Sequence, residues 1–320
     1  LNGLFLSFYY EHHKLKTSMK KLIIARENVD DSYLPSDLHP VIKQIYATRN
    51  VQNAHELNNS AATLIDFKLF KDIDKATELL IDALNAQSRI LIVGDFDADG
   101  ATSTATLMQG LAMFGFNNLD YLVPDRFSLG YGLSPALAEQ IVDIKPELVI
   151  TVDNGISCIA GIDILKKVGI KVLVTDHHLQ GEQLPNADAI VNPNRHDCRF
   201  PSKSIAGVGV AFYLLIALRS TLREQGYFER HAMPNLADLL DIVALGTVAD
   251  VVALDANNRT LVHQGLARIR SGKTRPGITA LIEVANRNAA RLSASDFGFS
   301  LAPRLNAAGR LDDMSLGIAC

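Results

Sequence analysis

The chain has 320 residues, 48% of them hydrophobic and 21% charged, and its 31 basic and 35 acidic residues leave a formal charge of −4 at pH 7. That balance provides enough apolar side chain for a sizeable core and excludes a disordered, collagen-like or disulfide-stapled chain. A mildly acidic total also argues, taken alone, against a nucleic-acid partner.

The first ten residues, LNGLFLSFYY, are apolar but lack a basic lead-in and a small-residue cleavage site, so they do not read as a signal peptide. Met19 reads as a start, which makes 1–18 an expected non-native or disordered tail and 19–88 an N-terminal helical lead-in, clearest at 74–86. From residue 89 to about 255 the texture changes. The β-branched runs RILIVGDF, ELVITVD, KVLVTD and ADAIVNP alternate with helical stretches at 101–114, 159–168 and 205–218. Continuous apolar strands alternating with helices predict an α/β fold, an open, mostly parallel sheet with helices on both faces. Residues 256–320 are expected to form a basic helical region leading to a C-terminal domain missing from this chain. The long, strongly apolar uncharged stretch at 204–218 has 15 residues. A bilayer needs about 20, so no membrane partner is expected. Three scattered cysteines, Cys158, Cys198 and Cys320, fit a reducing cytoplasmic compartment.

In open parallel sheets, ligands sit beyond the carboxyl ends of the strands. This sequence places acids there: Asp95, Asp97 and Asp99 after the first run, Asp153 after the next, then Asp176, His177 and His178 after the third. Asp250 adds a carboxylate in an otherwise apolar stretch, where a helix cap or buried hydrogen bond is the plain alternative. In extended backbone Asp95, Asp97 and Asp99 would point the same way, and such carboxylates repel one another unless a cation sits among them. Oxygen ligands with one or two imidazoles suit Mg²⁺ or Mn²⁺, and the set is large enough for two ions. Gly100 is expected to permit a tight turn into the next helix. His196 and Cys198 lack the further partners that a zinc site needs. For Ser202, Lys203 and Ser204, a phosphate-facing loop and a simple helix start stand as equal readings.

GDFDADG (94–100), VDNG (152–155), TDHH (175–178) and TVADVV (247–252) resemble the ordered motifs of the DHH phosphoesterase superfamily. VPDRFSLGYGLS (123–134), NPNRHDCRFPSKSIAGVGVAF (192–212), DIVALGTVADVV (241–252) and APRLNAAGRLDD (302–313) are similar to its bacterial single-strand-specific exonucleases. The resemblance implies that Asp97, His177 and Asp250 hold one metal and Asp99 the other, with Asp153 bridging both. Asp95 and Asp176 would orient or supplement the ligands, and His178 would face the phosphate. Phe96 stands where the family usually has tyrosine.

The implied chemistry is phosphodiester hydrolysis by water activated between two cations about 3.5–4 Å apart, with Asp95, Asp153 and His178 as catalytic residues. Arg126, Arg304, Asn306 and Arg310 would hold substrate phosphates, guanidinium groups matching phosphate oxygens bidentately. The implied activity is a 5′→3′ single-stranded-DNA exonuclease releasing 5′-mononucleotides in recombination and repair. Its implied partners are single-stranded DNA, single-strand-binding protein and a RecQ-type helicase. Two alternatives remain: another phosphodiesterase of the superfamily, acting on oligoribonucleotides or cyclic dinucleotides, and a non-catalytic replication scaffold. The first motif of those phosphodiesterases is built differently, and a scaffold would not need every ligand.

The total charge conceals a pattern. Residues 259–310 hold nine basic and two acidic residues, a net of +7, which leaves −11 elsewhere, six of those acids being the expected metal cluster. Charge pattern bears on the partner more than the total does.

Overall fold

The computed structural model describes residues 29–124, 130–311 and 314–319, without the side chains of 310 and 311. It divides into two compact units, residues 1–54 and 55–320. The first carries helix α1 (Pro40–Ala47), opened by proline and by His39, whose ring accepts from the Val41 amide. The expected tail at 1–18 lies outside the described residues.

The second unit is built on five strands: β1 (Ile90–Val93), β2 (Leu119–Leu122), β3 (Leu148–Val152), β4 (Lys171–Thr175) and β5 (Ala189–Val191). All four pairings are parallel, in the order β2-β1-β3-β4-β5. The expected open parallel sheet is therefore present. Helix α2 (Ile73–Ala86), α3 (Ala98–Met113) and α6 (Gly207–Glu224) cover one face; α4 (Pro135–Ile144) and α5 (Ile159–Lys167) cover the other.

The strand residues divide by parity because successive side chains point to opposite faces. Ile90 and Ile92 join Leu80, Leu107 and Leu215 on one side, while Leu91 and Val93 join Leu137, Ile141 and Ile162 on the other. Every residue of β1 and β3 is buried, which is why these runs carry no polar alternation. Edge strand β2, LDYL, has no residue classed as fully buried and gives no such signal.

A further helical layer packs beside α3: α7 (Leu240–Ala249), α8 (Ala256–Arg270), α9 (Pro276–Val284), the single turn α10 (Ala294–Asp296), a π-helical turn (Phe297–Leu301), α11 (Ala302–Leu311) and α12 (Ser315–Ala319). Its core comprises Ile242, Leu245, Leu266, Ile282, Phe297 and Leu301. Much of the expected basic character here is consumed internally. Arg259 pairs with Glu56, Arg268 with Asp238, Arg275 with Asp241 and Arg287 with Asp296. No helix among the described residues is long and apolar enough to cross a membrane.

Candidate metal centre

The strand order reverses between β1 and β3, so the loops leaving those strands diverge and open a crevice at their carboxyl ends. Asn154 spans the gap, its Nδ2 donating to Val93 O at 3.2 Å and Val152 O at 2.8 Å. Asp95 leaves β1, Asp153 leaves β3 and Asp176 leaves β4, which brings the predicted acids to one place.

The first motif is not extended throughout. Asp97 is the N-cap of α3, its Oδ1 accepting from the Gly100 amide at 2.9 Å, and Asp99 already lies in the first helical turn. Gly100 is thus inside the helix rather than at a turn before it. Its glycine character has another cause, because a Cβ there would stand 2.5 Å from Asp95 O. The bend separates the carboxylates. Asp95, Asp97 and Asp153 can bring ligand atoms within 4.8 Å of one another, as can Asp99, His177 and Asp250, and also Asp153, His177 and His178. In this grouping Asp97 keeps company with Asp95, while Asp99 sits with His177 and Asp250. Asp153 and His177 join the groups.

His177 Nε2 lies 3.1 Å from Asp153 Oδ1, 3.5 Å from Asp250 Oδ2 and 3.9 Å from Asp99 Oδ2. Yet His177 Nε2, Asp153 Oδ1 and Asp250 Oδ2 are buried without a hydrogen-bond partner. Such orphaned polar atoms are costly in a folded interior unless something binds them. Three of them converging from an imidazole and two carboxylates fit a hard divalent cation. Asp250 ends α7 with its carboxylate turned into this cluster rather than capping a helix.

The electrostatics agree. Burial, then the Asp97 charge, raises Asp95 to about 7, and burial with Asp97 raises Asp250 to about 7. Asp99 and Asp153 are also pushed well up by burial and by neighbouring carboxylates. Burial pushes His177 down, toward the neutral form that coordinates metal.

Asp176 behaves differently. Its Oδ1 accepts from the His177 amide at 2.7 Å, the His178 amide at 3.0 Å and His178 Nδ1 at 2.7 Å, while Oδ2 accepts from the Ile156 amide at 2.9 Å. Burial favours its neutral form, but these donors outweigh burial and hold its carboxyl low. Of its two expected roles the geometry supplies the orienting one, and it stands in none of the three ligand groups. The hydrogen bond to Asp176 raises His178, whose Nε2 faces Tyr131 Oη at 3.3 Å.

The expected phosphate ligands fare unevenly. Arg126 lies outside the described residues, and Arg310 is placed in α11 without its side chain. Arg304 donates to Ser300 O and lines a cavity of about 490 Å³ between α3, α7, α9, α11 and α12 that contains none of the cluster's carboxylates. Asn306 turns its Oδ1 to the Ala98 amide at 2.8 Å, capping α3 instead of facing solvent. Lys203 donates to Pro193 O and Cys198 O within its own loop, which favours the helix-start reading there. Among the described residues His196 and Cys198 share no ligand group.

Several supporting residues carried no separate signal. Asn192 Nδ2 donates to His178 O at 3.0 Å and Asn194 Nδ2 to His177 O, so the Asn-Pro-Asn segment after β5 pins both histidines by their backbones. Asparagines are common in loops, so nothing in their identity distinguishes these two from turn residues.

Residues 89–247 match the family model described as the DHH family, N-terminal domain, and this stretch of the chain belongs to that family. Its similarity is to RecJ: it is 56% identical over 305 residues to the single-stranded-DNA-specific exonuclease RecJ of Escherichia coli strain K12, covering 94% of this chain and 53% of that protein. A solved exonuclease RecJ bound to manganese superposes with a TM-score of 0.69 at 35% identity, covering 79% of this chain and 61% of the other. RecJ from Thermus thermophilus gives 0.67 in complex with Mn²⁺ (31% identity, 86% of this chain, 39% of that) and 0.55 with Mg²⁺ (28% identity, 86% and 36%). The chain spans about half the length of the curated relative it matches.

Proposed function

We propose that this chain is the catalytic part of a metal-dependent exonuclease that degrades single-stranded DNA from its 5′ end and releases 5′-mononucleotides. The observation that carries the reading is the convergence of three overlapping ligand groups with unpartnered Asp153 Oδ1, His177 Nε2 and Asp250 Oδ2. Asp95, Asp97 and Asp153 would hold one Mn²⁺ or Mg²⁺, and Asp99, His177 and Asp250 a second. When bound, such ions polarise a phosphodiester and acidify a water. His178, tied through Nδ1 to Asp176 and 47% exposed, is placed to meet a phosphate oxygen with Nε2. Asp176, Asn192 and Asn194 hold the two histidines in register.

The core is assigned to 89–255, with 256–320 as a flanking helical region and Arg126, Arg304 and Arg310 as phosphate contacts. Strand polarity, mononucleotide products, a role in cytoplasmic recombination and repair, and partners such as single-strand-binding protein and a RecQ-type helicase rest on likeness to RecJ.

The test uses 5′-phosphorylated oligonucleotides, single- and double-stranded, labelled at either end, with and without Mn²⁺. The expected result is metal-dependent release of the 5′-terminal mononucleotide from single strands, abolished in Asp99→Ala and His177→Ala. Full activity of either purified variant under Mn²⁺ would overturn the site assignment.

A further inference from the structure

Three exposed apolar residues adjoin the metal centre, two as chain neighbours of its residues and one by hydrogen bond, and one of them is held against the preference of its backbone. Val251 directly follows Asp250, at φ 62°, with 87% of its surface exposed. Its amide donates to Val248 O, closing α7 at the position where glycine is the usual residue. A β-branched residue is disfavoured in this left-handed conformation. Leu179 directly follows His178 and is 79% exposed. Tyr131 is 51% exposed; its hydroxyl lies 3.3 Å from His178 Nε2 and 3.4 Å from Asp153 O, and its ring stands edge-on to Phe96 at 6.4 Å.

A scattered exposed leucine or valine needs no explanation. These three are bonded or hydrogen-bonded to residues of one charged crevice, on loops from three different parts of the chain. Strained backbone at such a place points to function, because neutral drift would readily install glycine. The chemistry of a nucleic-acid strand supplies the complement. Its phosphates are anionic and match the metal ligands' cations, whereas its base and sugar faces are apolar and flank each phosphate. In a duplex those base faces are covered by stacking; in an unpaired strand they are free.

We infer that Tyr131, Leu179 and Val251 form an apolar rim that packs against the bases and sugars on either side of the scissile phosphate. The inference rests on the phosphodiesterase reading above and adds what selects the strand. Such contact favours unpaired DNA and reads no sequence, because every base offers a face.

The test compares two 5′-phosphorylated single strands, identical except that the first three nucleotides of one lack bases. Mn²⁺-dependent kcat/KM and binding by fluorescence anisotropy are measured for the parent, Leu179→Ser and Val251→Gly. The parent is expected to prefer the base-bearing strand about tenfold in both readouts, the size of one to two apolar base contacts, and each variant to move that ratio toward one. An unchanged ratio in both variants overturns the rim. Val251→Gly removes the strained conformation and Leu179→Ser alters an exposed side chain, so both fold, which thermal unfolding verifies. If the parent hydrolyses neither strand, the phosphodiesterase reading fails, and the anisotropy ratio still decides the rim.

Discussion

Asp99 Oδ2 accepts from the Gly207 backbone amide at 2.7 Å, and Oδ1 accepts from Val208 at 3.0 Å. A carboxylate in the first turn of α3 therefore closes the N-terminus of α6, which has no side-chain cap of its own. The positive end of that long helix faces the acidic cluster and offsets part of its charge. Gly207 comes so close that a Cβ would stand 2.6 Å from Asp153 Oδ1. Gly207→Ala must displace Asp153, a residue already at φ 60°. The expected outcome is a folded protein whose Mn²⁺ affinity, by calorimetric titration, falls roughly 10–100-fold, as for a lost supporting contact. Parental affinity in this variant would mean that Asp153 is not positioned from α6.

Asp176 offers a second test of positioning. An asparagine there would present an amide N–H₂ to donors that now share a carboxylate, and the His178 ring would lose its anchor. Asp176→Asn is expected to lower stability by about 1.5–3 kcal/mol, the size of a hydrogen bond to a charged group, and to reduce kcat more than it raises KM. Urea unfolding and steady-state kinetics check the two parts separately. A variant with parental stability would contradict the four hydrogen bonds assigned to this carboxylate.

The sheet and most of the site were legible because their signals are local. Ile90–Val93 and Leu148–Val152 are buried on both faces, and such strands must read as unbroken apolar runs. The acids at the ends of those runs follow directly. Edge strand β2 was hidden, since partial exposure erases the apolar run. Relationships across the chain were hidden as well: nothing local reveals that Asn306 caps Ala98, that Asn194 holds His177 or that Gly207 sits against Asp153. Asp97 and Asp99 parted company because the helix begins one residue after Asp97, which the alternating pattern of the motif does not announce.

The raised carboxylates set a pH dependence with a definite sign. Asp95 and Asp250 titrate at about 7 in the folded protein, against about 3.9 in an unfolded chain. The folded state thus binds more protons between those values, so metal-free protein loses stability as pH rises from about 4 through 7. Mn²⁺ replaces those protons, and its affinity should weaken as pH falls below about 7. At a concentration 100 times Kd the ion should add about 2.7 kcal/mol. Thermal unfolding at pH 5 and 8, with EDTA or Mn²⁺, checks this: the gain from Mn²⁺ must be larger at pH 8. An equal gain at both values would remove the coupled carboxylates from the metal site.

Asn306 separates a structural role from a substrate role by two independent measurements. Its Oδ1 accepts from Ala98 at 2.8 Å, a bond that ties α11 to the start of α3 beside Asp97 and Asp99. Asn306→Ala removes a helix-capping acceptor and should lower stability by about 1 kcal/mol. It should leave the salt dependence of oligonucleotide binding unchanged, because a neutral amide releases no counterion. Arg310→Ala, if that guanidinium meets a phosphate, should do the opposite, reducing the slope of log K against log salt by about 0.7 with stability nearly intact. Titrations of a labelled 5′-phosphorylated strand at several salt concentrations, beside urea unfolding of the same preparations, give both numbers. Parental stability together with weaker binding in Asn306→Ala would return this residue to the phosphate pocket and leave the start of α3 to be held by Asp97 alone.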